Sequence, residues 1–175
     1  ELLRARQYPE YPRIVIRPGE RYTAVLKLKT GEARAELLTE SAPRAANSFI
    51  FLARAGWYDG CAFFKVVPGY LALTGDPSDT GLGGPGYYFA NEIDPALHFD
   101  GPGWLGMFNS GGDTNGSQFF VTLGAQPNLD GVYTLFGRVT SGLKLFQSLT
   151  PRDPDALLPP PPGDPLLSVT IEVQP

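Results

Sequence analysis

Alternation of apolar and charged side chains is the first regular pattern along the chain. Leucines alternate with lysines along residues 23–29 (TAVLKLK), and alanines and a leucine alternate with charged residues along residues 33–37 (ARAEL). Residues 30–32 (TGE) separate the two runs. Successive side chains of a strand point to opposite faces, so the pattern predicts a two-stranded hairpin with one wet face.

The period then changes to that of a helix. Ser41-Ala42-Pro43 is typical of a helix start, with Ser41 as the cap and Pro43 in the first turn. An apolar stripe follows and stops at Gly56, which predicts an amphipathic helix of about three turns. A second short helix is predicted over residues 142–149, whose apolar face is Leu143, Phe146 and Leu149.

Short β-prone runs separated by glycine clusters occupy most of the remaining chain. They read FFKVV, YLALTG, WLGMFN, SQFFVTL, YTLFGRV and, near the end, LSVTIEV. Several short strands with turn signals between them predict a mainly β fold, a closed barrel or a sandwich. We expect the final strand to pair with the first hairpin.

Two proline-containing segments lie outside this pattern. Residues 1–20 hold three prolines and no stable period, so we expect an extended N-terminal arm laid against a domain formed by residues 21–175; a flexible leader is the alternative. Residues 152–165 include Pro159–Pro162 and predict a stiff surface loop of polyproline II character, which could alternatively recruit a proline-binding domain.

Size, charge and composition narrow the class of protein. A chain of 175 residues suits one domain. The net charge of -4 and the lack of clustered lysine and arginine argue against a nucleic-acid partner. No apolar run reaches the ~20 residues of a membrane helix, and no signal-like stretch opens the printed sequence. We therefore expect a soluble monomer that does not bind membranes, either cytoplasmic or exported.

Several motifs that suggest chemistry do not have the context for it. Residues 80–89 (TGLGGPGYYF) resemble a dinucleotide loop, but a proline and β-prone aromatics stand where a helix should begin. The single histidine, His98, has no serine in a nucleophile elbow and is predicted to lie in a loop. One histidine and one cysteine (Cys61) cannot build a zinc site. We expect no metal and no cofactor.

Four longer strings resemble the cyclophilins, the cyclosporin-binding peptidyl-prolyl cis-trans isomerases. They are FFKVVPGYLALTGD, DTGLGGPGYYFANE, MFNSGGDTNGSQFFVT and LDGVYTLFGRV, and the similarity extends from about Tyr22 to Val173. The resemblance implies an eight-stranded antiparallel β-barrel capped by two short helices, with a peptide groove on its outer face.

The resemblance also implies which residues occupy the family's catalytic positions. Lys65 stands where the family has a catalytic arginine, and Leu73 stands where a glutamine steadies that arginine. Lysine lacks the planar fork of arginine, and leucine offers no hydrogen bond. Two lost hydrogen bonds would lower turnover by roughly ten- to several-thousand-fold.

The remaining groove positions are mixed in the same comparison. Tyr70 and Phe120 complete the catalytic set with Lys65, since Phe120 matches the floor of the family's proline pocket. Phe108 replaces an alanine and should narrow the groove, whereas Asn128 replaces a tryptophan that contacts cyclosporin, so cyclosporin binding should be weak. The substrate-binding positions implied are Leu71, Leu73, Phe108, Asn109, Gln118, Asn128, Leu129 and Tyr133.

Two functional hypotheses follow from these residues. The first is a prolyl isomerase of reduced rate, acting on X-Pro bonds of unfolded or flexible chains with Lys65 as the electrostatic element. The second is a cyclophilin-like module, weak or inactive as a catalyst, that binds proline-containing peptides or a partner protein. Both predict proline-containing chains as partners.

Overall fold

Eight antiparallel strands form one sheet in the computed structural model, which describes residues 7–175. In spatial order the strands are β3-β4-β6-β5-β7-β2-β1-β8. Their bounds are β1 (Arg21–Leu28), β2 (Gly31–Leu37), β3 (Lys65–Val67), β4 (Leu71–Thr74), β5 (Trp104–Met107), β6 (Phe119–Thr122), β7 (Leu135–Ser141) and β8 (Leu166–Gln174). The mainly β architecture is confirmed, including the pairing of the final strand with the first hairpin.

The edges of the sheet meet at a seam, which we define as residues 60–63 against residues 164–166. The Leu166 amide donates to the Cys61 carbonyl and the Phe63 amide donates to the Asp164 carbonyl, both at 2.8 Å. Ala62 and Pro165 form a bridge between these segments. Because edge strands otherwise present unpaired backbone groups, the seam closes the curled sheet into a barrel.

Two helices cover the barrel, and their ends differ from the sequence prediction. Helix α1 spans Pro43–Arg54 and α2 spans Leu143–Gln147. The predicted Ser41 cap is wrong, because the cap position is Ala42 and no side chain of that residue bonds the helix. Instead the Glu92 carboxylate accepts hydrogen bonds from the Arg44 and Ala45 amides, each at 2.9 Å. A carboxylate at the N-terminus of α1 also complements the helix dipole. Glu92, from a loop distant in sequence, therefore caps the helix in place of a local side chain.

Apolar side chains divide between an inner core and an outer cluster on opposite faces of the sheet. Phe119 packs in the inner core with its ring edge against Phe49 of α1, at a centroid distance of 5.2 Å. Its neighbour Phe120 belongs to the outer cluster and packs against Phe99 at 5.5 Å. Adjacent residues of a strand face opposite ways, so only the first phenylalanine fills the barrel interior.

Residues 7–20 lie along α1 and the loop before residue 90. The Tyr8 ring packs edge-on against Phe51 at 5.0 Å, and the Tyr11 hydroxyl donates to the Arg44 carbonyl at 2.7 Å. The buried Asn47 side chain accepts from the Val15 amide and donates to the Arg13 carbonyl. Residues 1–6 of the predicted arm lie outside the described residues. Within residues 7–175, no helix has the length and apolar character needed to cross a bilayer.

Candidate active site on the outer face of the sheet

Lys65, Leu73 and Phe120 lie in register on three neighbouring strands. Lys65 on β3 is opposite Leu73 on β4, and Leu73 is opposite Phe120 on β6. Side chains that are directly opposite in antiparallel strands point to the same face. The Lys65 side chain therefore lies on the same face of the sheet as the outer cluster. Its strand, β3, is at the edge of that sheet.

The outer cluster brings together most of the groove residues predicted from the sequence. It is formed by buried residues and by half-buried aromatic residues that pack on them. The predicted members found there are Tyr70, Leu71, Leu73, Phe108, Phe120, Leu129 and Tyr133. Phe120 lies against Gly106 so closely that a Cβ at that glycine would be 2.2 Å from the ring. The absence of a side chain at residue 106 is what lets the ring lie flat on the sheet.

Aromatic residues cover this phenylalanine from above. Only 1% of Phe120 is exposed to solvent. The Tyr133 ring packs perpendicular to it at 5.7 Å, and Phe108 is stacked nearly parallel to Tyr133 at 6.3 Å. Tyr133, with Phe108 stacked beside it, therefore contributes to the burial of Phe120.

A loop holds the lower side of the cluster in place. The Asp130 carboxylate accepts a hydrogen bond from the Phe99 amide at 2.7 Å and pairs with the His98 ring at 2.9 Å. His98 is a loop residue, as predicted, and the pair fixes Phe99 beneath Phe120. Asn128, on the same turn as the buried Leu129, is exposed.

Polar groups lie where the outer cluster meets the glycine loop. The Gln118 amide donates to the carbonyls of Gly81 and Gly83, both at 2.9 Å, while its own Oε1 is buried with no hydrogen-bond partner among the described residues. Asn109 donates to the side-chain oxygens of Asn91 and Asn115. Asn109, Gln118, Gly81 and Gly83 border a cavity of about 100 Å³. This part of the surface is therefore polar, and beside it lies a buried acceptor without a partner among the described residues.

Asp76 organises the glycine loop that holds Gln118. The fully buried carboxylate accepts hydrogen bonds from the amides of Ser78, Thr80, Gly81 and Gly83, at 2.8 to 3.2 Å. Burial raises the pKa of Asp76, but hydrogen bonds from the Ser78 hydroxyl and from the Ser78, Gly83 and Gly81 amides outweigh it and hold the pKa below its ordinary value. Residues 80–83, the first part of the stretch that resembles a dinucleotide loop, thus surround the Asp76 carboxylate.

The charge of Lys65 is paired with two carboxylates that the sequence did not point to. Its ammonium lies 2.7 Å from Oδ2 of Asp155 and 3.4 Å from Oδ1 of Asp153. Hydrogen bonding to Asp155, with a smaller contribution from Asp153, raises the pKa of Lys65 despite partial burial. Leu73 gives the ammonium no polar contact, as expected. Within residues 7–175, no group of three or more His, Cys, Asp or Glu side chains is placed to hold a metal ion.

Comparisons with known proteins match this fold. The family model described as cyclophilin type peptidyl-prolyl cis-trans isomerase/CLD matches residues 23–171. A peptidyl-prolyl cis-trans isomerase-like 1 of Rhizopus delemar is 42% identical over 134 residues, which are 75% of this chain and 81% of that protein.

Solved structures give the same result for the fold. A cyclophilin type peptidyl-prolyl cis-trans isomerase of Cryptosporidium parvum superposes with a TM-score of 0.79 at 31% identity, covering 89% of this chain and 99% of that one. Its crystal structure in the presence of the dipeptide Ala-Pro superposes with a TM-score of 0.75, also at 31% identity, over 86% and 98% of the two chains. The chain belongs to the cyclophilin-type peptidyl-prolyl cis-trans isomerase family.

Proposed function

We propose that the chain catalyses cis-trans isomerisation of X-Pro bonds in unfolded or flexible chains, at a reduced rate and with Lys65 as the electrostatic element. The observation that supports this most is the register of Lys65, Leu73 and Phe120 across β3, β4 and β6. It puts a cation beside the apolar cluster that would take the proline ring.

The reaction itself needs few groups. Rotation about a prolyl bond breaks amide resonance, with a barrier of ~18–20 kcal/mol, and requires no nucleophile, metal or proton transfer. In the twisted state the prolyl nitrogen regains its lone pair and can accept a hydrogen bond. A donor that meets this nitrogen only in the twisted state lowers the barrier rather than merely tightening binding.

Each part of the groove has a role in this mechanism. The Lys65 ammonium donates to the prolyl nitrogen, and Phe120 with Leu71 and Leu129 receives the ring once the covering aromatic pair moves. Beside the glycine loop, Oε1 of Gln118 has no hydrogen-bond partner among residues 7–175 and accepts a backbone amide of the bound peptide. Lys65 and Gln118 together hold the peptide while the bond rotates.

Exchange spectroscopy on a short proline peptide tests this function. We expect cross-peaks between cis and trans forms to grow with added protein, to grow much more slowly but still measurably with Lys65→Ala, and to grow faster with Lys65→Arg, which restores the planar fork. Lack of exchange enhancement at stoichiometric protein contradicts the enzymatic role. Exchange in Lys65→Ala as fast as in the wild type contradicts the role of the cation.

The burial of Phe120 favours a second candidate, a proline-peptide binding module without useful catalysis. Displacing Phe108 and Tyr133 opposes entry of a proline ring, and the ion pairs of Lys65 compete with the substrate. In that case the same peptide binds, as chemical-shift changes in the groove report, and exchange stays at the uncatalysed rate. With Asn128 in place of a tryptophan, we expect weak cyclosporin binding under either function, and a tight complex by calorimetry would contradict that expectation.

A further inference from the structure

The ion pairs of Lys65 come from the proline-dense loop after α2. Asp155 and Asp153 are about ninety residues away in sequence, and they approach Lys65 because the loop runs beside the edge strand β3. The Val66 amide donates to the Arg152 carbonyl at 2.7 Å, and the Arg152 amide donates back at 2.9 Å. The loop thus extends the sheet by one residue pair next to the cation.

The backbone that carries the two carboxylates is held by contacts within this loop. The Arg152 guanidinium donates to the carbonyls of Phe64 and Pro161, which ties both arms of the loop to β3. The Asp155 amide donates to Oδ1 of Asp153 at 3.1 Å, and the Ala156 amide donates to the Asp153 carbonyl at 3.2 Å. The backbone of both aspartates therefore lies in a hydrogen-bonded turn that also bonds the Asp153 carboxylate, whereas the Asp155 side chain is 78% exposed and meets Lys65 at its tip.

The number of donors on an ammonium makes this arrangement compatible with catalysis. Lysine carries three N–H donors, and Asp153 and Asp155 can accept two of them. The third remains for a substrate. Since Leu73 on the groove side accepts none, the loop is the structure's only source of orientation for the Lys65 ammonium among its described contacts. An unrestrained lysine would lose much rotamer freedom on meeting the substrate.

We propose that Asp153 and Asp155 are positioning residues for the reaction, which fix the Lys65 ammonium from outside the groove so that its free N–H points to the prolyl nitrogen. This rests on the isomerase function proposed above. The loop then orients the Lys65 ammonium from the side of β3 opposite β4, because Leu73 on β4 cannot do so.

A double-mutant cycle with Lys65 tests the proposal. We expect Asp155→Asn to lower kcat/KM about three- to tenfold, and Asp153→Asn with Asp155→Asn to lower it further, through kcat with KM little changed. In the Lys65→Ala background the same changes should have no effect, because the group they position is absent. Asp155→Glu should recover part of the rate. Asp59→Asn, an exposed aspartate after α1, is the matched control for net charge and should match the wild type.

The outcomes separate this inference from the proposed function. If the wild type catalyses exchange and Asp155→Asn leaves its rate unchanged or raises it, the positioning role is overturned and the proposed function is not. An equal loss in the wild-type and Lys65→Ala backgrounds also overturns it, since the carboxylates would then act on the fold and not through the cation. A wild type with no catalysed exchange overturns both.

Discussion

At the residue scale, the protonation of Lys65 depends on its carboxylate partners. Hydrogen bonding to Asp155 is the main cause of its raised pKa, so Asp155→Asn should lower that pKa. The ammonium loses its charge as pH rises through the pKa, so the wild type keeps the cation to higher pH than the variant does. A titration of the Lys65 Cε chemical shift by NMR measures both, with Asp59→Asn as control. Coincident titration curves would contradict the assigned ion pair.

The cover over Phe120 gives a second prediction at this scale. Phe108→Ala removes the ring stacked on Tyr133 and should free that ring to move off Phe120. We expect tighter binding of proline peptides and a faster rate, measured by NMR titration and exchange spectroscopy. Tyr133→Phe keeps the aromatic pair and should leave both unchanged. Weaker peptide binding by Phe108→Ala would instead show that the Phe108 ring contacts the bound peptide and contributes to its affinity.

Single residues also show where sequence reasoning succeeds and where it stops. The string FFKVVPGYLALTGD, through the family resemblance, predicted that Lys65 and Leu73 are neighbours, and the pairing of β3 with β4 puts them opposite each other. A catalytic role for Lys65 stays a prediction. Asp153 and Asp155 could not be found this way, because a loop without hydrophobic period carries no signal of what it packs against. The only hint was the presence of aspartates in a loop otherwise rich in proline.

At the element scale, the glycine loop of residues 76–83 depends on one buried carboxylate. Asp76→Asn loses acceptor strength for several amides, and we expect a fall of roughly 2–4 kcal/mol in unfolding free energy at neutral pH. Because folding lowers the pKa of Asp76, its contribution is present above its ordinary value of about 4 and is lost as pH falls through the lowered pKa.

Thermal denaturation as a function of pH checks this prediction. The wild type should lose stability more steeply than Asp76→Asn below about pH 4, so that the two curves converge. Asp59→Asn should follow the wild type throughout. A constant gap between wild type and Asp76→Asn down to low pH would mean that the loss comes from packing and not from the charge.

Elements with strong local patterns were predictable, whereas their ends were not. The first hairpin and the course of α1 follow from periods of two and 3.6 residues, which the chain fixes locally. The helix start does not, since Glu92 reaches Arg44 and Ala45 from a loop almost fifty residues on. A serine near a helix start is a local preference, and here a tertiary contact overrides it.

At the scale of the whole molecule, the seam links barrel closure to the groove. Residues 60–63 of the seam lead directly into β3, which carries Lys65, and residues 164–166 end the loop that carries Asp153 and Asp155. One set of backbone hydrogen bonds therefore fixes both the cation and its carboxylates relative to the barrel. Loosening the seam should disturb catalysis as well as stability.

Gly163→Ala is the change that tests this coupling. A Cβ at residue 163 would lie 2.7 Å from the Phe63 carbonyl oxygen and 2.9 Å from Cβ of Ala62, so the seam must shift. We expect a loss of about 1–3 kcal/mol in unfolding free energy. We also expect faster hydrogen exchange at the Phe63 and Leu166 amides than in the wild type, with β1 and β2 remaining protected, and a reduced isomerisation rate.

Gly112→Ala is the matched control for this experiment, because no atom lies within 4 Å of the added Cβ. It should leave exchange and rate as in the wild type. Gly163→Ala could accelerate hydrogen exchange at the seam and leave the isomerisation rate unchanged. In that case β3 and the loop of residues 152–165 keep their relative position without the seam, and the ion pairs of Lys65 are sufficient to hold them together. If exchange accelerates uniformly across all strands, the seam is part of one cooperative unit, and its closure stabilises the barrel as a whole.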